Sequence, residues 1–180
     1  MKKMLWLAIV VSVLCGCSIK MVSYSPSLLM NGSGVIYARD FKYMPFEKGK
    51  LKSNQVDTGS GFNPVYSEMD IKDYVADALL KELKFIGYKL DSSSPTIISG
   101  DILEYSFDYI GFTNITIKAR INFKVMKLVD GKWDNVYAKI HEGFYQANKW
   151  TSMEDTLVIN EGLRNCIKKF IEDAQSVRIL

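Results

Sequence analysis

Between Asn114 and Val129 the chain alternates almost without a break. Ile115, Ile117, Ala119, Ile121, Phe123 and Val125 fall on one parity; Thr116, Lys118, Arg120, Asn122 and Lys124 fall on the other. Successive side chains of a strand point to opposite faces, so this segment reads as a long strand with one dry and one wet face. Such half-wet strands belong to antiparallel sheets, because a parallel sheet is covered on both faces. Asp130-Gly131-Lys132 follows as a hairpin turn. Asn135 to Phe144 then pairs back, with Val136, Ala138, Ile140 and Phe144 expected to point inward.

The remaining elements can be placed around this strand. Thr96 to Tyr109 reads as a second long strand, with Ile97, Leu103, Tyr105, Phe107 and Tyr109 on one face. Ser99 and Asp101 interrupt that face beside Gly100, which predicts a bulge or bend there. Val35 to Phe41 is β-rich and bounded by Gly34; Tyr88-Lys89-Leu90 is a shorter run. Asp91 to Pro95 is a turn.

Two segments carry the helical period instead. After the acidic start Ser67-Glu68-Met69-Asp70, the positions Ile71, Tyr74, Val75, Ala78, Leu79, Glu82 and Phe85 recur at steps of three and four. All but Glu82 are apolar, and Gly87 ends the run. A second helix is expected over about 153–174, with Ile159, Leu163, Cys166, Ile167, Phe170 and Ala174 as its stripe. The predicted fold class is therefore α+β: two layers, with an antiparallel sheet of about four to five strands and two amphipathic helices on one face. The other sheet face is expected to stay polar.

Residues 44–66 break every period. Pro45, Gly49, Asn54, Gly59, Gly61, Asn63 and Pro64 interrupt it, and Lys48, Lys50 and Lys52 cluster within it. Long exposed loops on a rigid scaffold are where binding residues concentrate, so this loop is one candidate surface. Residues 18–33 carry Pro26, Asn31 and Gly32 and read as a linker, with Tyr24, Leu28, Leu29 and Met30 able to lie against the domain.

The start of the chain fixes an expected address. Lys2 and Lys3 precede an apolar run, Met4 to Leu14, broken only by Ser12. That run is far short of the roughly 20 residues needed to span a bilayer, and it reads as a secretory signal. Leu14-Cys15-Gly16-Cys17 closes it. These four residues resemble the lipobox of bacterial lipoproteins: Leu, two small residues, then Cys. The resemblance implies cleavage between Gly16 and Cys17 and lipidation of Cys17. Cys15 departs from the usual Ala or Ser but is small. Ser18, where an Asp would favour the inner membrane, implies transfer to the periplasmic leaflet of the outer membrane. The expected organisation is thus 1–16 signal peptide, 17–33 lipidated tether and 34–180 a single α+β domain.

Composition narrows the partners. Loss of Lys2 and Lys3 takes the formal charge from +3 to +1. A near-neutral chain argues against nucleic acid, which is bound by a clear basic excess. With Cys15 removed and Cys17 lipidated, Cys166 stands alone, which excludes an internal disulfide, a CxxC redox motif and a cysteine zinc site.

A second resemblance covers roughly residues 34–175. Leu79-Leu80-Lys81-Glu82-Leu83 with Gly87-Tyr88, Pro95 to Gly111, the alternating strand, Asp130-Gly131 and a strand ending at Gly143 look like the YajG-type outer-membrane lipoproteins. That family has a fold similar to the N-terminal domain of TolB. Its common Asp-x-Arg element after the first strand is replaced here by Arg39-Asp40-Phe41. The resemblance transfers no catalytic residue.

No cofactor or metal pattern is present, and the reactive residue types read as structural. His141-Glu142 lacks the second His a zincin needs, since position 145 is Tyr; a strand-surface His is expected. Glu104 and Asp108 share a strand face that excludes Asp101, and all three are expected to be solvated. Cys166 lies on an apolar stripe and is expected in the core. Lys118, Arg120 and Lys124, with Lys139, form a second candidate surface for an anionic head group or a protein partner. The expected role is a membrane-anchored, non-enzymatic binding or accessory component of cell-envelope assembly or transport. A lipid or glycolipid carrier, which needs an apolar cavity, and a hydrolase with convergent carboxylates are the alternatives.

Overall fold

A computed structural model describes residues 19–59, 64–110, 114–147 and 154–180. The signal run and Cys17 lie outside them. In chain order the elements are β1 (Ile19–Lys20), β2 (Val35–Tyr43), α1 (Met44–Glu47), β3 (Gln55–Val56), β4 (Val65–Tyr66), α2 (Ile71–Phe85), β5 (Lys89–Leu90), β6 (Thr96–Ile110), β7 (Asn114–Val129), β8 (Lys132–Ala147) and α3 (Glu154–Ser176). The α+β expectation holds. Five strands in the order β5-β2-β6-β7-β8 form the main sheet, and β1-β4-β3 form a small one at its end.

The main sheet is mixed, where an antiparallel one was expected. β6, β7 and β8 are antiparallel, as the alternation of β7 requires, but β2 runs parallel to both β5 and β6. The chain leaves β2 through α2 before it returns as β5 and β6, and a helical crossover is what makes parallel neighbours. The β7–β8 turn is as expected: Asp130 and Gly131 both have positive φ, at 49° and 76°, the type I′ conformation that matches strand twist.

The inner face of β7 is as the alternation predicts, with Ile115, Ile117, Ala119, Ile121, Phe123 and Val125 all buried. The faces of its neighbours differ from expectation. A register shift between Ile102 and Glu104 inserts Leu103 as an extra residue. Before it the inward residues are Ile98, Gly100 and Ile102; after it they are Tyr105 and Phe107. Ser99 and Asp101 therefore belong to the outer face, and the irregularity sits past Gly100. A second shift, between Val125 and Met126, changes the phase of β8. Its inward residues are His141 and Gly143 with Tyr137 and Tyr145, whereas Val136, Ala138, Ile140 and Phe144 are exposed. Gly143 accounts for this choice. A Cβ there would collide with the Gly162 carbonyl and the Cys166 backbone, so the close crossing of α3 on β8 demands glycine on that face.

Residues 44–59 and 64–66 are more ordered than their breakers suggest. They hold α1, β3 and β4; Val56 is fully buried, and the Tyr43 hydroxyl donates 2.9 Å to the Gln55 carbonyl. Asp57 continues β3 alongside Ser106 of β6. The segment preceding β2 is not a free linker over its described length. Residues 21–33 form a strap in the helix layer, with Met21, Tyr24 and Leu28 buried and Met30 partly so; Leu29 is 96% exposed.

Candidate functional site

The outer face of the main sheet carries three of the predicted cations, Lys118, Arg120 and Lys124, whereas Lys139 has the parity of the inward residues of β8 and pairs with Asp173 of α3. Lys124 meets Asp101 at 2.6 Å, and Lys118 meets Glu104 at 3.1 Å and Glu142 at 3.8 Å. Arg120 stands in register between Glu104 and Glu142. Asp101, Glu104 and Asp108 face Asn122, Arg120 and Thr116, so all three acids share this face; the extra residue Leu103 brings Asp101 into line. The result is a ladder of alternating charge over β6, β7 and β8 rather than a cationic patch. Exposed pairs of this kind add about 0–1 kcal/mol each to stability, so they matter more for what the face can recognise. Beside the ladder, the exposed side of β8 presents Val136, Ile140 and Phe144 at 37%, 48% and 51% exposure. Burial, then the nearby Asp57 and Glu104, push Asp108 above the usual carboxylate range.

His141 is buried, contrary to the surface position expected of it. The Tyr137 hydroxyl donates 2.5 Å to Asp173 Oδ2, which leaves the Tyr137 oxygen to accept from His141 Nε2 at 2.6 Å. Lys139 also reaches Asp173, at 2.9 Å. This chain ties β8 to α3. Cys166 is buried as expected; burial pushes its thiol up to about 12, and it donates to the His141 carbonyl at 3.3 Å. A thiol so far from ionisation is not a nucleophile.

β2 carries a bulge at Arg39-Asp40. The register of β2 against β6 shifts between Ala38 and Phe41, and Asp40 adopts a φ of 60°, a conformation uncommon for a non-glycine residue. Arg39 and Asp40 pair at 3.5 Å. With Lys42, Lys72 and Asp73 they line an open groove of about 530 Å³ against α2. Among the described residues, no group of three or more His, Cys, Asp and Glu could hold a metal ion.

Glu82 is the residue whose weight the periodicity understated. It is fully buried and receives the Tyr24 hydroxyl at 2.6 Å, the Ser27 N–H at 3.2 Å and the Leu28 N–H at 3.1 Å. Arg164 of α3 lies 3.8 Å away, donates 3.0 Å to the Ser25 carbonyl and covers the Tyr24 ring. One carboxylate thus fastens the strap between the two long helices. The available signal was a single acid on an apolar stripe, because a buried carboxylate requires partners.

No family model matches the chain, and no curated protein does. Solved structures are similar in fold. Protein XCC0632 from Xanthomonas campestris, of family DUF330, matches with a TM-score of 0.63 at 11% identity, over 88% of this chain and 99% of that one. The hypothetical protein CT253 from Chlamydia trachomatis gives a TM-score of 0.52 at 10% identity, over 81% and 97%. Lipoprotein GNA1162 from Neisseria meningitidis aligns over 79% and 98% with 8% identity, but its TM-score of 0.32 carries no argument. At these identities the likeness is one of fold.

Proposed function

We propose that this chain is a lipid-anchored, non-enzymatic binding component of the bacterial cell envelope, held at Cys17 on the periplasmic leaflet of the outer membrane and related to the YajG-type lipoproteins. The observation that carries the reading is the seating of residues 21–33, whose Tyr24, Ser27 and Leu28 are fastened to Glu82. A domain that clamps the segment just after its anchor transmits the anchor's position to its whole body. The outer sheet face then serves as the contact surface for a protein partner. Its apolar row, Val136, Ile140 and Phe144 on the edge strand, lies beside the charge ladder of Lys118, Arg120 and Lys124, so the face offers apolar and charged contacts side by side.

Two measurements test this. Cys17→Ser should leave the precursor uncleaved and unlabelled by a palmitate analogue; normal labelling of that variant overturns the anchor. A photocrosslinker at Phe144 should capture an envelope protein in native membranes, whereas the same probe at exposed Phe85, on α2, should not. Equal capture at both sites, or at neither, overturns the assignment of the face.

A further inference from the structure

The described fold begins almost at the proposed anchor. β1 starts at Ile19, two residues beyond Cys17, and pairs Ile19 with Val65 and Lys20 with Tyr66. Two residues span no more than about 7 Å however they are arranged. The Met21 N–H continues the pairing to the Tyr66 carbonyl at 2.9 Å, and from there the strap is seated. A chain acylated at Cys17 therefore has no free linker that could lift the small sheet off the bilayer.

The residues around β1 are of the kind that accept a lipid surface. Lys20 is exposed and pairs with Tyr66, and Lys52 lies 5.5 Å over the Tyr66 ring. Lys48 and Lys50 are exposed in the same turn, whose backbone is closed by Lys48 N–H to Met44, Gly49 N–H to Phe46 and Lys50 N–H to Pro45 bonds. Phe46 is 46% exposed there. Glu47, Asp57 and Glu68 are the exposed acids nearby, so geometry rather than net charge sets the orientation, and the lysines add preference for anionic head groups. Aromatic and lysine side chains side by side are the common anchors of a membrane interface.

The opposite pole lies far away. Asp57 joins β6 at Ser106, which pairs with Lys118, whereas the β7–β8 turn lies beyond the Thr96–Lys127 pair. The nine residue steps of β7 from Lys118 to Lys127 cover about 30 Å.

We propose that the protein rests directly on the bilayer with its small-sheet pole down, the Phe46–Lys52 turn against anionic phospholipid head groups and the β7–β8 hairpin held about 30 Å farther out. This rests on the reading of Cys17 as the anchor, and the test separates the two. The chain from Cys17 to Leu180 is coupled through the Cys17 thiol to a maleimide lipid in vesicles of phosphatidylcholine and phosphatidylglycerol in equal parts; buried Cys166 does not compete. Because the coupling is chemical, the result is independent of whether the cell acylates Cys17, which palmitate labelling reports. Trypsin cleavage after Lys48, Lys50 and Lys52 should be about tenfold slower than in the uncoupled chain, with cleavage after Lys132 unchanged. Raising the salt should reverse only the part of the protection that the anionic head groups add. No protection, or equal protection at Lys132, overturns the orientation. Equal protection on pure phosphatidylcholine overturns the head-group preference.

Discussion

Glu82 and Tyr24 are 58 residues apart in the chain and meet at 2.6 Å in the interior, where the tyrosine hydroxyl donates to the carboxylate. Every partner of Glu82 but Arg164 lies on the strap, so the pair measures how firmly the strap belongs to the fold. Glu82→Ala should cost about 3–5 kcal/mol, because it leaves the Tyr24 hydroxyl and two strap N–H groups without their acceptor and takes a buried counter-charge from Arg164. Tyr24→Phe should cost about 1–3 kcal/mol. Urea unfolding of both variants checks this. A loss below 1 kcal/mol for Glu82→Ala, on the scale where exposed changes fall within about half of that, would mean the strap is not part of the cooperative unit.

Ile121→Asp should be far more damaging than Arg120→Asp. Ile121 is fully buried, where an unpaired charge costs several kcal/mol, and Arg120 faces water. Thermal melts of the two variants side by side decide it. Equal melting temperatures would contradict the register of β7.

Gly143→Ala should destabilise at the upper end of the range of about 1–3 kcal/mol typical of overpacking, because its methyl group meets backbone of α3 rather than a movable side chain. Gly131→Ala, at the open hairpin tip, should cost only about 1 kcal/mol from its positive φ. The two free energies from denaturant titration should differ clearly.

Stability should fall with acidification through the range set by His141. Burial holds its imidazole below the ordinary value of 6.5 despite an upward pull from Asp173, with Lys139 and Lys169 adding to the depression. The unfolded chain takes up the proton first, so stability is full above 6.5 and is lost as the pH falls below it. Asp173, held below the usual carboxylate range first by the Tyr137 hydroxyl and then by Lys139, gives its own loss only in more acid solution. Unfolding measured from about pH 7.5 to about pH 5 should show a slope that His141→Gln flattens. An unchanged slope would assign the pH dependence to other groups.

Much of this architecture is legible in the chain, and where it is not the reason is local. The alternation of β7 and the stripe of α2 each depend on a single element; the first is found as read, and the second is too except at its end, where Leu83 is buried and Phe85 is exposed. Leu103 and Val136 are extra residues whose only effect is to change parity, and no pattern within β6 or β8 announces them. The exposure of Ile140 and Phe144 follows from Gly143, whose requirement comes from Gly162 on an element read separately. The parallel pairing of β2 is likewise a property of the route taken through α2. Of the candidate surfaces, the cations of β7 were visible in the sequence, but their neutralisation depends on residues of β6 and β8 across the sheet.

The strap has a consequence for how the protein is made. Arg164 reaches Ser25 across 139 positions, and Gln175 reaches Asn31 across 144. The strap is synthesised early, yet half of its seat is built from α3, which is made late. Until α3 has formed, Tyr24 and Leu28 have only one wall to lean on. Final closure is therefore a late event that joins the two ends of the chain, and contacts of such long separation form slowly. A nascent chain stalled before α3 should expose these apolar residues to chaperones and proteases, so completion of α3 acts as the checkpoint for the strap.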